Sequence, residues 1–286
     1  MNKKPDFRRV AVFLLFAFAI SWTIGFLLDI FQIGIDTLYG SILVLLFMWG
    51  PAISGFLVLL FWTEESFLSQ FKKYLGFSSD KFNKKWTLLA WLTPLPILFI
   101  MLGVGLLLPG IGFSGGMQEF FMLIIQMLIA GLTINALAAF GEEFGWRAIL
   151  LDEVSPLGFW KASIMIGIIW GVWHAPLILW GYYFPGDTAL GLLVMLIFTI
   201  TFAHVFTYFT ARSKNVIASS LLHGSFNSLG PLAFIFLTGA GELVIGTDGL
   251  IGIIAVFIFL VLGCLVHDRF IAEESITTKK SLKIWS

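Results

Sequence analysis

The chain has 286 residues, 59% hydrophobic and only 12% charged, with 31 Phe, 11 Trp and a mean hydropathy of +0.97. Such an apolar excess excludes a soluble domain and implies an all-α, polytopic membrane protein whose environment is lipid. Seventeen Lys and Arg balance 17 Asp and Glu with no long basic block, which argues against nucleic acid as a partner, and the single Cys264 rules out an internal disulfide, a CxxC redox pair and a cysteine zinc cluster.

Met1 to Arg9 carries Lys3, Lys4, Arg8 and Arg9 ahead of the apolar run Val10 to Leu28. That run is long, has no small-x-small cleavage pattern and is followed by further spans, so it reads as an uncleaved first helix. Segments of spanning length follow at 38–62, 86–108, 119–151, 161–181, 189–210, 216–237 and 243–266, giving about eight crossings in all. With the N-terminus inside, the segments 1–9, 63–85, 147–161, 211–215 and 267–286 hold all 17 Lys and Arg, while the opposite loops near 29–37, 109–119, 182–188 and 238–248 hold only acids among their charged residues. Lys and Arg collect on the cytosolic side of a membrane, so the partition predicts cytosolic N- and C-termini.

The connector at 63–85 is too short for a soluble domain. Phe67, Leu68, Phe71, Tyr74 and Leu75 beside Lys72 and Lys73 predict a short amphipathic helix lying on the inner leaflet. The expected organisation is residues 1–118 as three spans with this connector, 119–237 as a four-span core, and 238–286 as a last span with a short cytosolic tail. A multi-pass protein of this compact form suits a bacterial inner membrane, with membrane lipids as its constant partners.

Three polar constellations interrupt the core spans. The first is Glu142, Glu143 and Arg147, the only charges between Phe120 and Leu151. Ionisable groups at such depth are costly, face protein or a wet cavity, and mark a functional site. Glu143 and Arg147 stand at i and i+4 and pair on one face, while Glu142 points about 100° away and is left for other work. The second is His174, deep in its span, with Pro176 freeing the carbonyl of Val172; Ser163, Gly167, Gly171 and Ala175 recur every four residues and admit a close neighbouring helix. The third is His223 with Asn227, again i and i+4, flanking Gly224. An imidazole and an amide on one face suit an oxyanion or an oriented water. Counted along their helices, all three groups reach a similar depth on the cytosolic half. His204, with only Thr207 as a polar helical neighbour, reads as an interhelical hydrogen-bonder, and His267 as a solvated residue at a span end.

In that order and spacing, Glu-Glu-x-x-x-Arg at 142–147, an aromatic-x-x-x-His at 170–174 and His-x-x-x-Asn at 223–227 resemble the three motifs of the CPBP family of intramembrane proteases. That family includes the type II CAAX prenyl endopeptidases and Abi-type relatives linked to bacteriocin immunity. The resemblance covers residues 120–237. The second motif commonly begins with Phe where this chain has Trp170, an exchange of one packing aromatic for another.

The resemblance implies peptide-bond hydrolysis in a cavity open to the cytosolic leaflet. Glu142 with His174 would activate a water, His223 and Asn227 would bind the oxyanion, and Glu143 with Arg147 would set the geometry of Glu142. Zinc is left open as a cofactor: Glu142, His174 and His223 would give three ligands and one open position. A peptide or a prenylated protein is the implied substrate. The rival readings are an immunity protein that binds a toxin or partner, disfavoured by the intact motifs, and a proton-coupled transporter, disfavoured by the lack of an inverted repeat.

Overall fold

The computed structural model describes residues 4–77, 82–282, 284 and 285; Lys3, Lys81 and Lys283 of the basic clusters, and 78–81 of the connector, lie outside them. In chain order the helices are α1 (Phe7–Ile30), α2 (Leu38–Phe61), α3 (Phe67–Tyr74), α4 (Lys84–Leu92), α5 (Pro94–Leu106), α6 (Met117–Leu132), α7 (Ile134–Glu143), α8 (Leu151–Val154), α9 (Phe159–Trp173), α10 (Ala175–Leu179), α11 (Thr188–Ser213), α12 (Val216–Leu229), α13 (Pro231–Phe236), α14 (Glu242–Ile245), α15 (Leu250–Phe259) and α16 (Val266–Phe270). Phe144–Leu150 and Leu260–Leu265 continue their helices as π-helical turns, and two-residue strands β1 (Gly112–Phe113) and β2 (Leu237–Thr238) pair antiparallel. Side-chain caps on free backbone N–H groups start several of the helices: Asp6 accepts from Arg8 and Arg9, Thr37 from Gly40, Asn83 from Trp86 and Asn215 from Ala218.

Among the described residues six stretches are long and apolar enough to cross a membrane, and the pair formed by 117–132 and 134–157, bent by 48°, makes a seventh when taken as one span. The sequence predicts a single straight run over 119–151. It bends at Thr133, whose hydroxyl turns back to the Ile129 carbonyl at 2.8 Å. The bend has a packing cause. Gly131 of α6 lies against Ser225, and Gly224 of α12 lies against the backbone of Asn135 and Ala136 in α7, so the kinked pair presses both of its limbs onto α12. The seventh predicted span, 216–237, is carried by α12 and α13 together. Fourteen residues of α12 make about 21 Å, too short to cross alone.

The two ends of the bundle are chemically distinct. At one end Arg9 binds Glu153 (2.7 Å), Tyr74 donates to Asp152 (3.1 Å), the Asn83 N–H donates to the Ser213 carbonyl, the Leu282 N–H donates to the Ser155 carbonyl, and Arg212 pairs with Asp268. The Lys- and Arg-bearing segments, both termini among them, therefore meet on one face. At the other end Tyr182 donates to the Ile33 carbonyl, β1 pairs with β2, and the Phe184 N–H donates to Glu242. Arg147 departs from the expected partition: it is fully buried in the bundle instead of lying at the basic end. The connector helix α3 forms as expected but turns its aromatic face inward. Phe67 and Phe71 pack on Phe56, and Tyr74 is buried between Phe144 and Trp285, with Leu68 left on the outside.

Candidate active site

The first functional side chains sit where α7 passes into its π-helical turn. Gly141 and Gly145 let α2 approach so closely that a Cβ at either position would strike Trp49 or Pro51. A widened turn of this kind re-aims side chains, and such turns recur at functional sites. Here it keeps Glu143 and Arg147 within reach, Arg147 Nη1 donating to Glu143 Oε1 at 3.0 Å, as the i and i+4 spacing predicts. Both are wholly buried. The guanidinium is also held between two rings, 4.1 Å from the centroid of Phe206 and 4.5 Å from that of Trp170.

Glu143 binds a second partner from another helix. The Nδ1 of His223 on α12 lies 2.8 Å from the same Oε1. A carboxylate oxygen accepts, so Nδ1 carries the proton, and Nε2 of His223 donates only when the ring is an imidazolium, with Glu143 as its counter-ion. His174 is tied differently. It forms the joint between α9 and α10, and its Nδ1 lies 2.8 Å from the Trp170 carbonyl, an acceptor without charge. Its Nδ1 therefore also carries a proton, and in the neutral ring Nε2 is a base. Two histidines that look alike in the sequence are thus built for opposite roles.

Glu142, 3% exposed, accepts a hydrogen bond at Oε2 from the indole N–H of Trp170 at 2.7 Å. This corrects the sequence reading of Trp170 as a packing residue: its nitrogen makes a bond that the Phe common at this motif position could not. Glu142, His174, His223 and Asn227 line one cavity of about 70 Å³. Glu143 and Arg147 stand behind it. All six expected residues are thereby brought together, with Asn227 the most exposed.

Tyr183 and Asp248 line the same cavity and were not singled out by the sequence, which placed them in loops. Burial, and then the charges of Asp248, Glu142 and Glu242, raise the pKa of the Tyr183 phenol, so the hydroxyl is held as a donor. His204 departs from its expectation. Its Nδ1 bonds the Ile200 carbonyl of its own helix, and its ring packs on Phe159 and Trp160. His267 is held by Tyr208 at 2.8 Å and stacks edge-on with Trp86.

Among the described residues no three His, Cys, Asp or Glu side chains are grouped so as to hold a metal ion. Glu142, His174 and His223 share the cavity but are not arranged as a zinc ligand set.

The fold and site define a multi-pass membrane protein with a buried, carboxylate- and histidine-lined cavity formed by α2, α7, α9, α11 and α12. Residues 123–229, which carry all three motifs, match the family described as type II CAAX prenyl endopeptidase Rce1-like. Part of the chain is 32% identical over 102 residues to CAAX prenyl protease 2 of Methanococcus maripaludis, covering 30% of this chain and 35% of that relative. The similarity thus spans about a third of the archaeal protein. This motif-bearing core is thus similar to the type II CAAX prenyl endopeptidases.

Proposed function

We propose that this protein is an intramembrane endopeptidase in which Glu142 activates a water. The observation that carries the reading is the convergence of Glu142, His174, His223 and Asn227, from three helices, on one small cavity. A water held between Glu142 and the Nε2 of His174 attacks the carbonyl carbon of the scissile peptide bond. Its proton passes to the Glu142 carboxylate, and the carbonyl oxygen becomes an oxyanion. The imidazolium Nε2 of His223 and the amide of Asn227 hold that oxyanion; donors fixed in advance where charge develops are each worth about 10²- to 10³-fold in rate. Glu142 then delivers the proton to the leaving amide nitrogen as the C–N bond breaks, so the base of the first step is the acid of the second.

Glu143 and Arg147 touch none of the reacting atoms. Glu143 fixes the His223 ring and keeps its charged form paired, and Arg147 neutralises the second carboxylate while bracing Trp170. Trp170 holds Glu142 in one orientation.

The name of the archaeal relative supplies the assay substrate. Detergent-purified protein is incubated with a farnesylated CAAX peptide, with and without a zinc chelator. The metal-free mechanism expects cleavage in both lanes. Loss of cleavage on chelation, restored by added zinc, would overturn the metal-free step, and absence of cleavage throughout would remove the CAAX-like peptide as a substrate.

A further inference from the structure

We propose that Trp22 of α1 is a positioning residue for the reaction: its indole N–H, bound to the Trp173 carbonyl at the break between α9 and α10, sets where the His174 ring stands in the catalytic cavity. The inference deepens the endopeptidase reading and rests on it for the catalytic consequence, whereas the hold on His174 rests on the geometry of the joint.

The need for an outside donor follows from the chain. Pro176 has no N–H for the Val172 carbonyl, and the helix breaks two residues before it, at His174. Around the break the backbone bonds tighten from a four-residue to a three-residue step. The His174 N–H donates to the Gly171 carbonyl at 3.2 Å, and the Leu177 N–H donates to the His174 carbonyl at 3.0 Å. The Trp173 carbonyl, which Leu177 would take in an unbroken helix, is therefore left over. A free carbonyl in hydrocarbon has no water to bind, so a neighbouring helix must supply the donor. Trp22 does so at 3.2 Å.

Helix α1 is seated for this task. A Cβ on Gly25 would strike the Trp180 ring, and Ser21, which donates to the Phe47 carbonyl at 2.9 Å, lies where a Cβ on Gly50 would fall. Small residues thus bring α1 close to α10 and to α2 on either side of Trp22. The indole lines an apolar groove of about 540 Å³ with Phe26, Pro176 and Trp180, and turns its N–H edge inward to the carbonyl. A phenyl ring would cover that groove as well; the nitrogen is what it would lack.

His174 inherits the constraint through the backbone. The Trp173 carbonyl oxygen and the His174 nitrogen belong to one planar peptide unit, so a bond that holds the oxygen also holds the direction in which the His174 Cα leaves it. The ring hanging from that Cα is tied at Nδ1 to the Trp170 carbonyl at 2.8 Å and lies edge-on to the Trp173 indole, which packs on Phe47. The Nδ1 bond fixes how the ring is turned, and Trp22 fixes where the ring is carried. Trp22 touches no reacting atom and acts only through His174.

The test separates the donor from the ring. Trp22→Phe keeps a ring and removes the N–H, whereas Trp22→Gln loses the ring and carries an amide N–H the same number of bonds from Cα as the indole N–H. Full-length protein in detergent is compared in two readouts. In cleavage of the farnesylated peptide, Trp22→Phe is expected to lower kcat about tenfold with KM within about twofold, and Trp22→Gln to keep about half of the wild-type kcat or more. In histidine-selective nitrogen NMR, the His174 ring signals, identified by their loss in His174→Ala, are expected to move in Trp22→Phe and to lie nearer their wild-type positions in Trp22→Gln, with those of His204 unchanged. A ring that serves packing alone gives the reverse order, Phe at wild type and Gln impaired. That order, or equal impairment of the two variants, overturns the proposal. If wild-type protein leaves the farnesylated peptide uncut, the substrate reading fails by itself and the NMR order decides: His174 signals that stay in place in Trp22→Phe refute the role given to Trp22.

Discussion

Trp170→Phe isolates the one atom that distinguishes this chain's second motif. The substitution keeps an aromatic ring where the motif commonly has Phe, so the fold tolerates it, and it removes the indole N–H that lies 2.7 Å from Glu142 Oε2. A hydrogen bond to a charged group contributes about 1.5–3 kcal/mol, which at 1.36 kcal/mol per tenfold is a loss of roughly 10- to 150-fold in kcat/KM if the bond is made in the transition state. The ring also covers Arg147 at 4.5 Å, and a Phe face weakens that contact by less than about 1 kcal/mol, which acts on stability more than on rate. The assay is steady-state cleavage of the farnesylated peptide with kcat and KM resolved. The loss is expected in kcat, because Trp170 orients the base and does not hold the peptide. In a Glu142→Gln background the same substitution is expected to cost nothing further. A Trp170→Phe enzyme within about twofold of wild type in kcat, folded normally, would refute the assignment of Trp170 as the residue that positions Glu142.

Glu143→Gln leaves Arg147 fully buried without its carboxylate and His223 without a counter-ion. Breaking one partner of a buried pair is expected to destabilise by about 3–5 kcal/mol, read as a lowered thermal midpoint in detergent; a change below about 1 kcal/mol would contradict the ion-pair reading. Gly224→Ala places a methyl group against the backbone of Asn135 and Ala136, where neither neighbour yields by a rotamer change. It is expected to cost about 1–3 kcal/mol and to lower cleavage by displacing His223, whereas Ala at Gly103, which faces open space, is expected to leave both unchanged.

Much of this fold is legible in the chain because lipid imposes simple rules. The apolar lengths and the Lys and Arg partition specify crossings and sides, and the structure gathers those segments on one face as the charges require. The bend at Thr133 is not legible. No proline interrupts 119–151, and the kink answers to the close approach of Gly131 and Gly224 across two helices, a tertiary fact. Helical spacing did convey the Glu143–Arg147 pair. It could not convey that His223 would join the pair, since the two lie 80 residues apart. Trp170 was readable as an aromatic but not as a donor, because which ring edge faces Glu142 depends on how α9 rotates against α7. Asp248 and Tyr183 were invisible as site residues, lying in loops that fold back over the cavity.

Cleavage by Glu142→Gln protein tests the central claim most directly. The amide keeps the shape of the side chain and still accepts from Trp170 Nε1, so the variant is expected to fold, to bind peptide and to show no cleavage above background, because it has no group to take the proton from water. A folded Glu142→Gln protein that cleaves at the wild-type rate would show that the carboxylate is not the base, and the mechanism would fall with it.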